Sequence, residues 1–359
     1  MEVDFLASKA DGQCGIGTYT RDLADELESY GVQVNQVTFD SGGVEHRGAF
    51  IAGFRLARAN GDISHIQFEP GLFHTQEPLL NLPHLAAYAL FFGYFLGGGF
   101  RKPLVTTMHT QPKQPRFGRI GNKHVKYSYG LMQKMTDKIF ILGPVTAEKT
   151  LIDDWEYTVL PHGAKTSTIE ESQDEAKTKF GYNASDTLIV LPGYVRPPKG
   201  YHLLSHVAKW HPEYEFLFAG GVRTEKNQPY KNRVANCAPE NVQFTGILDD
   251  ARFHSAFVAA DIITLPYEFV EQSGILNYAA SYGNAVVASD KGYFKWISDQ
   301  WELECYGPWD DPHELEAAIE RALIPDRREK LEAGMRSFSA DRSFDKVASE
   351  HVRLYKQLI

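Results

Sequence analysis

Three cysteines among 359 residues, Cys14, Cys237 and Cys305, are too few and too scattered for a disulfide framework or a structural zinc site. The amino terminus has no basic segment leading into an apolar core, so no secretory signal is read and a reducing, cytoplasmic setting is expected. Also missing is an apolar run of about twenty residues, the length that crosses a bilayer. The strongest apolar stretch, residues 85–100 (LAAYALFFGYFLGGGF), is sixteen residues long and ends in glycines. Aspartate and glutamate are absent from Pro78 to Thr136. Eight basic residues stand there: Arg101, Lys102, Lys113, Arg116, Arg119, Lys123, Lys126 and Lys134. The whole chain has net charge −9, so the rest carries −17, since −9 less +8 is −17. An acidic average excludes a general nucleic-acid surface, and the basic segment is a local exception to it. Core material is plentiful. With 43% hydrophobic and 23% charged residues the chain is neither disordered nor fibrous, and its length suggests two domains.

Short apolar runs alternate with helical patterns along the chain. Residues 3–6 read as a strand. Tyr19, Leu23, Leu27 and Tyr30 then recur at helical spacing, and Gly31 ends that helix. Further strands are read at 32–39, 63–68, 104–108, 138–142 and 158–160. Residues 165–179 are polar without an apolar period, and their first part reads as a linker. The alternation restarts with strands at 188–191, 215–219, 242–244, 262–265 and 285–288. Helices are read at 201–210, 251–259, 274–282, 312–323, 327–338 and 344–358. Alternating βα units imply parallel sheets covered by helices, so the fold class is α/β with two doubly wound, Rossmann-like domains. Ligands in such sheets bind beyond the carboxyl ends of the strands, so chemistry is expected in the loops after strands.

Five such loops stand out. Gly12-Gln13-Cys14-Gly15-Ile16-Gly17 follows the first strand and precedes a helix. It fits either a close backbone approach to a ligand or a plain tight turn. Thr20 takes the third position of a dinucleotide fingerprint, while Asp40 at the end of the second strand keeps an NAD reading alive. His65-Ile66-Gln67-Phe68-Glu69-Pro70-Gly71 places Gln67 and Glu69 either in a binding cleft or at a solvated strand end. His109 directly follows a buried strand, where it suits a sugar hydroxyl or a base role, and the next loop, 111–126, is long and basic. Gly193-Tyr194-Val195-Arg196-Pro197-Pro198-Lys199-Gly200 sets an arginine and a lysine three apart, stiffened by two prolines. A guanidinium fork and a point charge without compensation suit an anion such as a phosphate, the alternative being a merely solvated pair. Finally, Glu271-Gln272-Ser273-Gly274 opens a helix. Ser273 is a cap candidate, free N–H groups suit a phosphate, and Glu268 and Glu271 stand near sugar hydroxyls or in solvent.

Together these loops resemble the family 4 glycosyltransferases, in the subgroup with R-P-x-K-G and Q-S-G motifs. The elements are G-I-G-T-Y, H-I-Q-F-E-P-G-L-F, T-T-M-H-T, L-P-H-G-A, G-Y-V-R-P-P-K-G, F-A-G-G, and Q-S-G-I-L followed by Y-G-N-A-V-V-A-S-D. The resemblance implies a GT-B fold, two Rossmann-like domains facing a central cleft. The domains are expected at 1–165 and 166–340, with a C-terminal helix in 341–359 packing back toward the first. It implies retaining transfer of a sugar from a nucleotide-sugar donor to a glycan or lipid-linked acceptor, with no cofactor and no obligatory metal. In that scheme His109, Arg196, Lys199 and Glu271 are catalytic. Gly15, Gly17, Gly193, Gln272, Ser273 and Gly274 bind the donor. Gln67, Glu69, Lys113 and Arg116 face the acceptor. The second glutamate of the family's E-x7-E pair is missing, since Ala279 stands eight residues after Glu271, and no D-x-D occurs in the chain. Stretch 85–100 reads as a buried helix, or as a peripheral contact with an anionic membrane at its inner face. Alternative functions are a non-catalytic nucleotide- or sugar-binding GT-B protein and an NAD-dependent oxidoreductase.

Overall fold

The computed structural model describes residues 1–10, 14–40, 44–73, 85–110, 119–144, 155–164 and 170–359. Two compact units emerge: Met1–Gly163 with Phe344–Ile359, and Ala164–Ser343. The first is discontinuous in sequence, since the last helix of the chain belongs to it.

In the first unit the elements run β1 (Glu2–Ser8), α1 (Gly15–Ser29), β2 (Gln33–Phe39), α2 (His46–Arg58), β3 (Ile63–Phe68), α3 (Leu85–Leu96), β4 (Leu104–Met108), α4 (Arg119–Met135), β5 (Lys138–Ile141) and β6 (Thr158–Val159). The strands form one parallel sheet in the order β2-β1-β3-β4-β5-β6. Every residue of β3 and β4 is buried, so these strands lie under cover on both faces and polar side chains there must find internal partners. One face packs on α2, α3 and α4 through Leu56, Phe68, Leu90, Phe91 and Met132. The other carries Tyr19, Leu23 and Leu27 of α1, spaced one helical turn apart, together with the closing helix of the chain.

The second unit runs α5 (Gln173–Lys179), β7 (Leu188–Pro192), α6 (Tyr201–Trp210), β8 (Glu215–Ala219), α7 (Gln228–Cys237), β9 (Val242–Phe244), α8 (Asp250–Ala259), β10 (Ile262–Leu265), α9 (Gly274–Ser281), β11 (Ala285–Ser289), α10 (Gly292–Ser298), β12 (Glu304–Tyr306), α11 (Pro312–Leu323) and α12 (Pro325–Asp341). Its sheet is again all parallel, in the order β12-β11-β10-β7-β8-β9. Helix α13 (Phe344–Tyr355) then returns to the first unit.

Some local readings need correction. Residues 173–179, in the later part of a stretch read as polar without an apolar period, form a helix started by a capping box in which Ser172 and Glu175 satisfy each other's backbone N–H groups. The long basic loop expected at 111–126 is helical from Arg119 onward, and 111–118 lie outside the described residues. Stretch 85–100 divides: Ala86, Ala87, Leu90, Phe91 and Tyr94 are core, while Phe92, Phe95, Leu96 and Phe100 are exposed.

Candidate functional site

In a doubly wound sheet the loops diverge where the strand order reverses, which leaves an open crevice at the strand ends. In the second unit the chain starts at β7, builds outward through β8 and β9, then returns to the other side of β7 with β10. The switch point is therefore the β7/β10 pair. The two motif loops of this unit follow those two strands. The loop after β7 holds Gly193 at φ +113°, a conformation that favours glycine. A Cβ on neighbouring Gly220 would sit 1.8 Å from the Gly193 carbonyl oxygen, so the two strand ends meet backbone to backbone. Arg196 then leads into a 3₁₀ turn, Pro197–Lys199, and Gly200 at φ +73° starts α6.

The loop after β10 is tied to this turn. The Glu268 N–H donates to the Pro198 carbonyl at 3.0 Å, and Gly200 packs on Pro266 with no room for a side chain. The Lys199 ammonium lies 3.3 Å above the centre of the Tyr267 ring. Burial and the nearby Arg196 charge push the Lys199 pKa well below its ordinary value. Neither Arg196, which is exposed, nor Lys199 has a carboxylate partner among the described residues. Beside them, Ser273 caps α9 by accepting the Leu276 N–H at 3.2 Å, leaving the first-turn N–H groups of Gly274 and Ile275 outside the helical ladder. The buried Gln272 Oε1 has no hydrogen-bond partner among the described residues. Glu271 stands at the same helix start, half-buried. Arginine, lysine and helix N-terminus thus converge on one switch point, a set of donors suited to phosphate oxygens, and the spare Gln272 Oε1 beside them is an acceptor for a ligand hydroxyl or N–H. Sequence reasoning missed Arg223. It stands after β8, the other neighbour of β7, with its guanidinium 5.7 Å from the Tyr194 ring; the F-A-G-G-V-R run at a strand end is the signal that locates it.

In the first unit the reversal lies between β1 and β3, and the motifs again follow the strands there. The two glycines of the first loop differ. A Cβ on Gly17 would lie 2.3 Å from the Lys9 carbonyl oxygen, so Gly17 lets α1 approach the end of β1. A Cβ on Gly15 would meet nothing within 4 Å among the described residues. Asp40, the residue behind the NAD reading, is exposed and paired with Lys9 at 2.7 Å.

His109 is nearly fully buried beyond β4, edge-on to the Tyr19 ring with centroids 5.1 Å apart. Burial, reinforced by His162, lowers its pKa to about 3, so it is a neutral imidazole at physiological pH. Its Nε2 lies 2.8 Å from the Gln67 Oε1, which requires the Nε2–H tautomer. The Nδ1 lone pair has no partner among the described residues. Gln67 is wholly buried and its amide is engaged at both ends, with Nε2 3.5 Å from His65 Nε2. It therefore backs His109 rather than facing an acceptor, a correction that follows from the cover on both faces of β3. His65 is held by the Thr107 hydroxyl at 2.7 Å and by Tyr355 Oη of α13 at 2.5 Å. Glu69, at the end of β3, accepts from the Thr110 hydroxyl and the Gly71 N–H. Lys113 and Arg116 lie outside the described residues.

Against known proteins, the sequence model of the family described as glycosyl transferases group 1 matches residues 172–337, which is the second unit almost entire. The chain is 25% identical over 375 residues to a phosphatidyl-myo-inositol mannosyltransferase of Mycobacterium tuberculosis, covering 95% of this chain and 93% of that one. It is 24% identical over 246 residues to a processive diacylglycerol alpha-glucosyltransferase of Acholeplasma laidlawii, covering 66% of this chain and 71% of that one. Among solved structures, a sucrose-phosphate synthase from Thermosynechococcus elongatus superposes with a TM-score of 0.75 at 16% identity, covering 100% and 99% of the two chains. HepE of Anabaena, solved with UDP and glucose, gives 0.75 at 15% identity over 100% of both. The two six-stranded parallel α/β units have the architecture of the GT-B glycosyltransferases, and the family match and full-length relatives support glycosyltransferase activity for this chain.

Proposed function

We propose that the chain is a retaining hexosyltransferase of the family 4 type that moves a sugar from a nucleotide-sugar donor to a glycan or lipid-linked acceptor without an obligatory metal. The observation that carries this reading is the Arg196–Lys199 pair, without a carboxylate partner among the described residues, at the β7/β10 switch point beside the start of α9. In this reading the two cations hold the diphosphate and stabilise its negative charge as it departs. Gly15, Gly193, Gln272, Ser273 and Gly274 let the donor lie against backbone and N–H groups, with Gly17 shaping the first of those loops. Neutral His109 accepts a hydrogen bond from a hydroxyl of the transferred sugar at Nδ1, and Glu271 accepts others. Glu69, Lys113 and Arg116 serve the acceptor. The bond from the sugar's anomeric carbon to the phosphate oxygen breaks while the acceptor oxygen bonds on the same face. The acceptor's proton passes to the departing phosphate oxygen, so the chain supplies no covalent nucleophile.

The donor class is supported by HepE, solved with UDP and glucose. The lipid-linked class is supported by relatives named for diacylglycerol and phosphatidyl-myo-inositol substrates. A cytoplasmic protein working at the inner membrane face fits both. Ala279, fully buried, occupies the place of the family's second glutamate, so no ribose contact comes from there.

A thermal-shift panel of UDP, GDP, ADP, their sugar conjugates and NAD tests the proposal. A nucleoside diphosphate at a hundred times its Kd stabilises by about 2.7 kcal/mol, and Arg196→Ala abolishes that shift. A shift with NAD alone overturns the reading. Turnover in EDTA and the product's anomeric configuration by NMR test metal independence and retention.

A further inference from the structure

Helices α2 and α3 meet at glycines. A Cβ on Gly53 would lie 2.1 Å from the Leu90 carbonyl oxygen, and one on Gly93 would lie 2.1 Å from that of Phe50, so the two backbones touch. The inner sides of this pair are core. The outer side is apolar as well: Ile51 and Phe54 of α2 are exposed, and so are Phe92 (56%), Phe95 (52%) and Leu96 (54%) of α3 and Phe100 (68%) just beyond. The exposed side chains form one surface, with the Phe92 ring 6.2 Å from Phe50 and the Phe95 ring 5.7 Å from Phe100. Along α3 the stripe continues back by helical spacing to Tyr88 and Leu85. Those two line a groove of about 630 Å³ shared with Tyr127, Leu131 and Lys134 of α4.

The charge around this surface is mostly positive, with Glu45 at the start of α2 the exposed exception. Arg47, Arg55, Arg58 and Arg101 are exposed, and none is paired with a carboxylate among the described residues. Residues 46–58 and 85–102 contain no aspartate or glutamate, in a chain of net charge −9. The Arg101 guanidinium lies 5.7 Å from the Phe100 ring. A soluble monomer rarely leaves so many large apolar groups together without a use. Two copies of this face set against each other would bring eight unpaired guanidinium groups, four from each copy, into one interface, which like-charge repulsion opposes. Aromatic rings beside a majority of arginines match the boundary between lipid headgroups and acyl chains. Among the described residues no helix is long and apolar enough to cross a membrane, so the contact would be one of lying on the surface.

We propose that the outer face of the α2–α3 pair docks the protein on an anionic lipid bilayer, with the phenylalanines entering the headgroup region and the arginines pairing with lipid phosphates. This rests on the lipid-linked acceptor reading above and supplies the surface by which the chain reaches such an acceptor.

The test is co-sedimentation of the full chain with phosphatidylcholine vesicles, with and without phosphatidylglycerol. It uses wild type, Phe92→Ser/Phe95→Ser and Arg55→Glu/Arg58→Glu, each checked for fold by circular dichroism and for the nucleotide thermal shift. Wild type pellets with the anionic vesicles and not with the neutral ones. Each double variant binds them at least about tenfold more weakly while keeping its nucleotide response. Binding that both variants retain overturns the assignment to this face, and failure of wild type to bind anionic vesicles overturns docking altogether. Concentration-dependent dimers that Phe92→Ser/Phe95→Ser abolishes would make the face a contact between copies and also overturn it. The nucleotide shift reports the donor site separately, so loss of docking and loss of the transferase reading are told apart.

Discussion

Replacing Gln67 by leucine keeps the volume of a wholly buried side chain and removes both of its hydrogen bonds. His109 Nε2 then loses its acceptor at 2.8 Å, whereas His65 keeps Thr107 and Tyr355. One buried N–H left unsatisfied costs about 1–3 kcal/mol. The imidazole can escape that cost by moving its proton to Nδ1, which faces away from Gln67. The escape converts the proposed sugar-facing acceptor into a donor. If the Nδ1–H form becomes preferred by about 1.4–2.8 kcal/mol, the productive tautomer falls ten- to a hundredfold. Expected for Gln67→Leu is therefore a kcat ten- to a hundredfold lower, with a nucleotide thermal shift like wild type, because the diphosphate groups lie in the other unit. Gln67→Glu restores an acceptor for Nε2–H but adds a carboxylate whose charge favours the imidazolium. His109 then titrates well above its present value of about 3, and kcat acquires a pH dependence on the acid side that wild type lacks. Initial rates against pH for the three proteins, with Tm for each, decide the matter. A Gln67→Leu enzyme with lowered Tm and undiminished kcat would refute the positioning argument, since Gln67 would then only fill the core.

Other expectations follow from the same geometry. Gly15→Ala should leave the unfolding free energy within about 0.5 kcal/mol of wild type, since its Cβ meets nothing among the described residues, and should weaken the nucleotide shift. Gly17→Ala should lose about 1–3 kcal/mol or more because its Cβ strikes the Lys9 carbonyl; urea melts of both separate a donor-facing glycine from a packing one. Lys199 has a folded pKa below its unfolded one, so an anion that binds beside it draws a proton onto it. Calorimetry of nucleoside diphosphate binding at about pH 9 in buffers of different ionisation enthalpy should show proton uptake in wild type and none in Lys199→Met. His109 and His351 have folded pKa values lowered to about 3 and about 4, so the unfolded chain binds more protons in acid. The contribution of these two imidazoles to stability should be fully present above about pH 6.5 and be lost as pH drops from there toward 3. His351 alone accounts for about 3 kcal/mol, readable in denaturant melts against pH and reduced in His351→Phe.

The sequence carries the strand-end loops well and the burial of their neighbours poorly. Pro-Pro between Arg196 and Lys199 and glycines on either side define a turn by local geometry alone, so that loop is readable residue by residue. Its stitching to the β10 loop through Pro198, Pro266 and Tyr267 depends on β10 returning beside β7, a long-range pairing that no local pattern encodes. Gln67 misleads for a related reason. Alternation in His65-Ile66-Gln67-Phe68 suggests a polar face, yet β3 is an interior strand covered on both sides, and its polar residues satisfy one another. Helix α5 is hidden because Ala176 is its sole apolar core contact; the Ser172–Glu175 capping signal marks it better than hydrophobic period does. The exposed phenylalanines of α3 cannot be told from buried ones in a stretch that is apolar all round, since the partner helix α2 decides which side is covered.

The return of α13 to the first unit has a consequence for how the chain is made. Tyr355 closes on His65 across 290 positions, and Phe344, Val347 and Val352 complete a core begun by Val3 and Phe5. On the ribosome, all of Ala164–Ser343 emerges before those residues do, so the second unit can reach its final form while the first still lacks one wall. The nascent first unit therefore waits with part of one apolar sheet face, the part that α1 does not cover, open until α13 arrives. Birth order and native order differ in this molecule: the part begun first is the part finished last.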